Sequence, residues 1–87
     1  MAFTLQQLRY FVAAAELGSV TGAARELNIS QPSVSAAIRK LEDQFSAQLV
    51  LRHHAQGISL TAAGRRFMSQ ARSLIAQAQA LESDTRG

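Results

Sequence analysis

Residues 30 to 42, Ser-Gln-Pro-Ser-Val-Ser-Ala-Ala-Ile-Arg-Lys-Leu-Glu, bring hydroxyl, amide and cationic side chains together at helical spacing. These are the groups that read nucleic acid: amides and hydroxyls pair with base edges, while guanidinium and ammonium groups meet phosphates. Ser30 is a favourable N-cap, and Pro32 in the first turn gives up no backbone donor that the helix needs. At about 100° per residue, Val34, Ala37, Ile38, Leu41 and Phe45 share an arc of roughly 100°. Pro32, Ser35, Ala36, Arg39 and Lys40 fall on the opposite side. That face is small, polar and basic, so a groove can approach the helix closely while the cations reach its walls. Glu42 and Asp43 lie toward the C-terminal end, away from the turn that usually reads bases. The spacing predicts a recognition helix over residues 31–45.

The preceding segment must position that helix. Val20, Ala23, Ala24 and Leu27 follow i, i+3, i+4, i+7 spacing and predict a short helix over 20–27. The paired alanines allow a steeply crossing helix to come close. Asn28 tolerates the left-handed conformation that a helix exit often needs, and Ile29 can plug the corner. Helix, short turn and helix form the pattern of a helix-turn-helix, for which an ordinary corner of a helical bundle is the alternative. Upstream, Thr4-Leu-Gln-Gln7 has the form of a capping box. It opens a helix over 5–16 whose buried stripe is Leu5, Leu8, Phe11, Val12 and Ala15, ended by Gly18.

After residue 45 the pattern changes. Residues 48–52 and 57–60 have strand character, and the intervening His53-His-Ala-Gln56 leads to a turn glycine, Gly57. Two strands after a helix-turn-helix make a wing, about 49–60, resting near the DNA backbone or in the minor groove. An apolar loop that closes the core is the compatible plainer reading. Thr61 then caps a long helix over 62–85, in which Phe67, Ala71, Leu74, Ile75, Ala78 and Leu81 share an apolar stripe. At 1.5 Å per residue this helix extends about 35 Å, further than so small a core can cover. A stripe left bare is unusual, so a second copy packed antiparallel is expected, giving a homodimer through residues 62–85.

Composition narrows the classes. The chain has 87 residues, 47% hydrophobic and only 6% aromatic, which suits one small folded domain packed mainly by aliphatic side chains. It carries no cysteine, hence no disulfide, thiolate metal site or cysteine nucleophile. No signal-peptide pattern or membrane-length apolar run is present, so a cytoplasmic location is expected. Nine Lys and Arg against six Asp and Glu give a net charge of +3, a modest excess that is compatible with nucleic acid as partner. Adjacent His53 and His54 would point to opposite faces of a strand and lack a nearby Cys or carboxylate, which argues against a chelated metal. As surface groups they would strengthen attraction to the DNA backbone on protonation. No phosphate-binding glycine loop, zinc-hydrolase pair or nucleophile elbow appears, so neither enzyme nor cofactor is expected. A protein-interaction module on the same helical frame is the main rival, and Arg39, Lys40 and Arg52 argue against it.

The order of elements and the strings Leu8-Arg-Tyr-Phe-Val12, Gly18-Ser-Val-Thr21, Ala23-Ala24, Ser30-Gln-Pro32, Ile38-Arg-Lys-Leu-Glu42, Gln48-Leu49 and Leu60-Thr-Ala-Ala-Gly64 resemble the N-terminal DNA-binding domain of LysR-type transcriptional regulators. The resemblance covers nearly the whole chain. It implies a mainly α fold: a winged helix-turn-helix over 1–60, with a three-helix core and a two-stranded wing. A linker helix that dimerises and a polar tail then follow over 61–87. It further implies an effector-binding domain, absent from these residues, through which a small-molecule effector would act, and a tetramer as the assembly open to the longer protein.

Carried over by position, Gln31, Pro32 and Ser35 would lie near base edges, with Ala36 beside them where the family often has Arg or another polar residue. Thr21, Ser33, Arg39 and Arg52 would lie close to the backbone, joined by Lys40, His53 and His54 as further groups on that surface. Capping of their own helices is the alternative for Thr21 and Ser33. Gly22 replaces a frequent basic residue, Ser46 a common helix-ending Gly, and Val50 a common Phe. The implied function is sequence-specific binding of double-stranded DNA by a homodimeric bacterial transcriptional regulator, with no membrane partner.

Overall fold

In the computed structural model, which describes residues 2–55 and 57–86, four helices and a two-stranded sheet follow one another in the expected order. Helix α1 (Leu5–Leu17) opens with a complete capping box: Thr4 Oγ1 accepts the Gln7 N–H and Gln7 Oε1 accepts the Thr4 N–H, both at 3.0 Å. Helix α2 (Val20–Leu27) is capped by Ser19, whose Oγ accepts the Gly22 N–H at 2.8 Å. Helix α3 (Gln31–Phe45) is capped by Ser30, with Pro32 in its first turn. Strands β1 (Val50–His53) and β2 (Gly57–Leu60) precede helix α4 (Ala62–Thr85), whose cap Thr61 accepts the Gly64 N–H at 2.9 Å. The first three helices end in left-handed residues, Gly18, Asn28 and Ser46; at Ser46, φ is +49°, so serine holds a conformation usually left to glycine.

Two elements differ from expectation in their bounds. Helix α1 gains one residue, and the first strand starts at Val50 rather than Gln48 and reaches His53. The backbone of Gln48 and Leu49 is engaged elsewhere: Thr61 Oγ1 donates to the Gln48 carbonyl at 2.6 Å and the Thr61 N–H to the Leu49 carbonyl at 3.0 Å.

The core is built around α1. Leu8, Phe11 and Ala14 are fully enclosed, facing Ala23 and Ala24 of α2 and Val34, Ile38 and Leu41 of α3. Ala13 and Ala14 are buried as well as Leu8, Phe11 and Val12 of the expected stripe, because α2, α3, α4 and β2 all pack on this helix and cover more than one side of it. Leu5 and Ala15 of that stripe are only half-buried. Aromatic contacts run outward from the centre. Phe11 meets Phe67 edge-on at 5.3 Å, Phe67 meets Phe45 at 5.0 Å, and Phe45 meets Phe3 at 5.4 Å. Phe45, expected among the buried residues of α3, is 42% exposed, between Phe67 and Phe3 in this chain of rings.

Helix α4 divides its apolar stripe in two. Gly64, Met68 and Ala71 are buried against the protomer's own core. Ala71, expected to face a second copy, is therefore already consumed at 2% exposure, and Phe67 is half-buried among the rings. The inward phase of the first turns belongs to α1. Beyond Ala71 the helix outruns its support, leaving Leu74 and Leu81 exposed by 42% and 68%.

The wing pairs antiparallel, Val50 with Leu60, Leu51 with Ser59, Arg52 with Ile58 and His53 with Gly57. Its inner face buries Val50 and Ile58. The Ile58 N–H donates to the Gly18 carbonyl at 3.0 Å, tying the wing to the α1–α2 corner. Close backbone approach at each end requires glycine: a Cβ on Gly57 (φ +87°) would lie 2.0 Å from Gly18 O, and one on Gly64 2.0 Å from Leu49 O. Gly64→Ala must displace the start of α4 from the wing, and a loss of about 1–3 kcal/mol is expected in urea unfolding; an unchanged midpoint would show that the backbone yields without cost.

Candidate nucleic-acid interface

Helix α3 turns its apolar face inward through Val34, Ala37, Ile38 and Leu41 and leaves the first turn open. Gln31 and Pro32 are exposed, Ser35 and Ala36 half-buried, and Arg39 and Lys40 exposed further along. The left-handed Asn28 and the half-buried Ile29, packed on the core, fix the angle at which α2 hands the chain to α3. Ser33 is partly occupied by its own helix end. Its N–H donates to Ser30 Oγ at 3.2 Å, and the two hydroxyls lie 2.7 Å apart. Thr21 has no such duty, since Ser19 is the cap of α2, and it stands exposed in the first turn.

Three elements meet beside the start of α3. Thr21 from α2, Gln31 from α3, and Arg52 and His53 from β1 line one open groove of ≈ 430 Å³, together with Ser19 and Gly57. Amide, hydroxyl and guanidinium groups thus border a common space, a set suited to a phosphodiester strand with a base edge next to it, while the His53 imidazole turns to the other face of the strand. His53 Nε2 lies 2.7 Å from Ser59 Oγ across the wing. His54 sits exposed in the turn, which continues through Ala55; Gln56 is outside the described residues. Among the described residues, no group of three His, Cys, Asp or Glu side chains is placed to hold a metal. Ser33, Ala36 and Lys40 are not in this groove; they line another, on the side of α3 facing α1.

Glu42, which the sequence marks only as an acid at the far end of a basic helix, has a structural task. Its Oε2 accepts the backbone N–H of Leu49 at 2.8 Å and of Val50 at 3.3 Å. One carboxylate thereby ties the last turns of the recognition helix to the first residue of the wing strand that carries Arg52. The signal available in the sequence was its phase: near 20° from Gln31 around the axis, it lies at the margin of the apolar arc, where a buried acceptor can reach a neighbouring backbone.

The exposed distal part of α4 forms an apolar surface with the chain's start. Phe3 and Leu5 join Leu74, Ala78 and Leu81 around one hollow of ≈ 300 Å³, and Phe3, Phe45, Phe67 and Leu74 line the adjoining one of ≈ 290 Å³. Phe3 precedes the first helix and belongs to no periodic stripe, so no pattern in the sequence marks it. No helix of the described residues is long and apolar enough to cross a membrane.

Comparisons agree with this arrangement. Residues 5–65 match the family described as bacterial regulatory helix-turn-helix protein, lysR family. The transcriptional regulator ClcR of Pseudomonas putida is 47% identical over 70 residues, which are 80% of this chain and 24% of that protein. The chain accordingly spans about a quarter of the length of such curated relatives. In structure it is similar to the DNA-binding domain of CbnR solved with DNA, at a TM-score of 0.91 and 37% identity over 97% of this chain and 95% of that one. The DNA-binding domain of BenM, solved with benA site 1 DNA, gives 0.89 and 36%, covering 97% of this chain and 93% of that one.

Removing the Glu42 acceptor leaves two backbone donors at the wing's root without their partner. Glu42→Ala should lower stability by about 1–3 kcal/mol. Amide exchange measured by NMR should quicken at Leu49 and Val50 ahead of the α1 core; equal acceleration everywhere would deny the local clasp.

Proposed function

Since the chain belongs to the lysR family of bacterial regulatory helix-turn-helix proteins, we propose that it binds double-stranded DNA in a sequence-specific manner as the DNA-reading part of a transcriptional regulator. The observation that carries this reading is the convergence of Thr21, Gln31 and Arg52 from three elements on the groove beside the exposed first turn of α3. Helix α3 enters the major groove with Gln31, Pro32 and Ser35 toward base edges; Ala36 offers only a methyl group for apolar contact. Gln31 has the paired donor and acceptor that match adenine. Arg52, Arg39 and Lys40, with Thr21, Ser33 and the wing histidines, meet phosphates and supply most of the affinity by releasing counterions. The role is binding, not catalysis, and it is exercised in the cytoplasm, where bacterial DNA lies.

Two copies act together. Leu74, Ala78 and Leu81 extend past the protomer's own core and pack against the same stripe of a second α4, while Phe67, Ala71 and Ile75, expected in that stripe too, support the protomer from within. Such a dimer presents two recognition helices to one face of the duplex, about 34–36 Å apart or a multiple of that distance. In the longer protein, a further domain would bind the effector.

Selection of bound duplexes from a random pool should recover an imperfect palindrome with half-sites at that spacing; absence of any binding would overturn the reading. Two variants separate the assigned roles. Gln31→Ala should cost about 1–3 kcal/mol at one base position. Arg52→Ala should weaken all sequences alike and reduce the slope of log affinity against log salt by about one. A uniform loss for Gln31→Ala would contradict its place at a base edge.

A further inference from the structure

We propose that the groove between α1 and α3 seats the second phosphate strand of the duplex, with the Gln6 amide and the Tyr10 hydroxyl as uncharged donors to it. This rests on the DNA-binding reading above and extends it to residues outside the helix-turn-helix and the wing.

The argument begins with the width of the site. A helix with its side chains is about 10–12 Å across, and the major groove of DNA is about 12 Å wide. A helix lying there is bracketed by a sugar-phosphate strand on each side, so a surface that follows the helix into the groove meets both. Around α3, the groove holding Gln31, Thr21 and Arg52 occupies one flank. Ala36, Lys40 and Ser33 lie roughly 140–200° around the axis from Gln31. They line a second groove of ≈ 330 Å³, whose other wall is the first turns of α1 with Gln6 and Tyr10. The ridge between the two carries Pro32, Ser35 and Arg39. The structure thus has two troughs separated by the width of the helix that would enter the DNA, as two strands require.

The chemistry of the second trough is different. Thr4 and Gln7, which also line it, spend their side chains on the capping box. The Ser33 hydroxyl is shared with Ser30. This leaves the exposed Gln6 amide, the half-buried Tyr10 phenol and the exposed Lys40 ammonium, and no carboxylate lines the groove to repel a phosphate. Amide and phenol groups donate to phosphate oxygens without displacing counterions, so this strand would be held largely by salt-insensitive contacts, with one cation. The wing flank would respond to salt through Arg52.

The test is equilibrium binding of the chain to a duplex recovered by selection and to its scrambled version, across a series of salt concentrations. Gln6→Ala and Tyr10→Phe should each weaken both duplexes by about threefold to tenfold with an unchanged salt slope. Lys40→Gln should lower the slope by about one. In ethylation interference with the unsubstituted chain, modified phosphates on both strands of each half-site should block binding. If Gln6→Ala and Tyr10→Phe bind like the parent chain while Arg52→Ala is weakened, the DNA reading stands and the α1 trough is idle. Interference confined to one strand per half-site would overturn the proposal equally, and it does so even if a variant fails to fold. If the unsubstituted chain binds no duplex at all, the proposal falls together with the reading on which it rests.

Discussion

Phe11 is fully enclosed, and the helix that carries it is gripped by α2, α3, α4 and β2 at once. Every surface that would face DNA is presented by an element that leans on this one. Helix α2 sits close through Ala23 and Ala24, α3 through Val34, Ile38 and Leu41, and the wing through Ile58. Because interiors are close-packed, the relative angles of these elements follow from which side chains fill the space between them. With few aromatic residues and no disulfide, the domain depends on aliphatic burial around a single helix, at about 25 cal/mol per Å² of apolar surface removed from water.

On that frame, backbone hydrogen bonds set the finer geometry. The wing is fastened at three places: Ile58 to the Gly18 carbonyl, Leu49 and Val50 to Glu42, and Gln48 and Leu49 to Thr61. Two of the three anchors lie next to glycines whose missing Cβ permits the approach. The outcome is that Arg52, on a short two-stranded sheet that would be marginal alone, stands at a set distance from the recognition helix. Position, and not extra charge, is what the clasp contributes.

The electrostatics are sparse, which suits the reading. Among the described residues the ion pairs are Arg72 with Glu16 at 2.8 Å and Arg86 with Glu82 at 4.0 Å, both exposed and both away from the α3 face. Exposed pairs of this kind contribute little to stability. Arg39, Lys40 and Arg52 form no ion pair among the described residues, so a net charge of only +3 still leaves cations available where a polyanion would lie.

The sequence by itself determined the element types, their order and most of their ends, since caps, left-handed exits and apolar periodicity act within a few residues and are written locally. The recognition helix, its exposed polar turn and the hairpin after it were legible for that reason, as was an α4 too long for its core. Tertiary structure alone decided the division of the α4 stripe, in which Ala71 went to the protomer's own core and Leu81 was left outside. It also placed Phe3 and Phe45 at the end of a row of rings, engaged Glu42 with the wing, and brought Gln6 and Tyr10 alongside α3. These relations join residues far apart in the chain. Periodicity states which side of a helix is apolar, but not which neighbour covers it or where that neighbour ends; that follows only when the helices have packed.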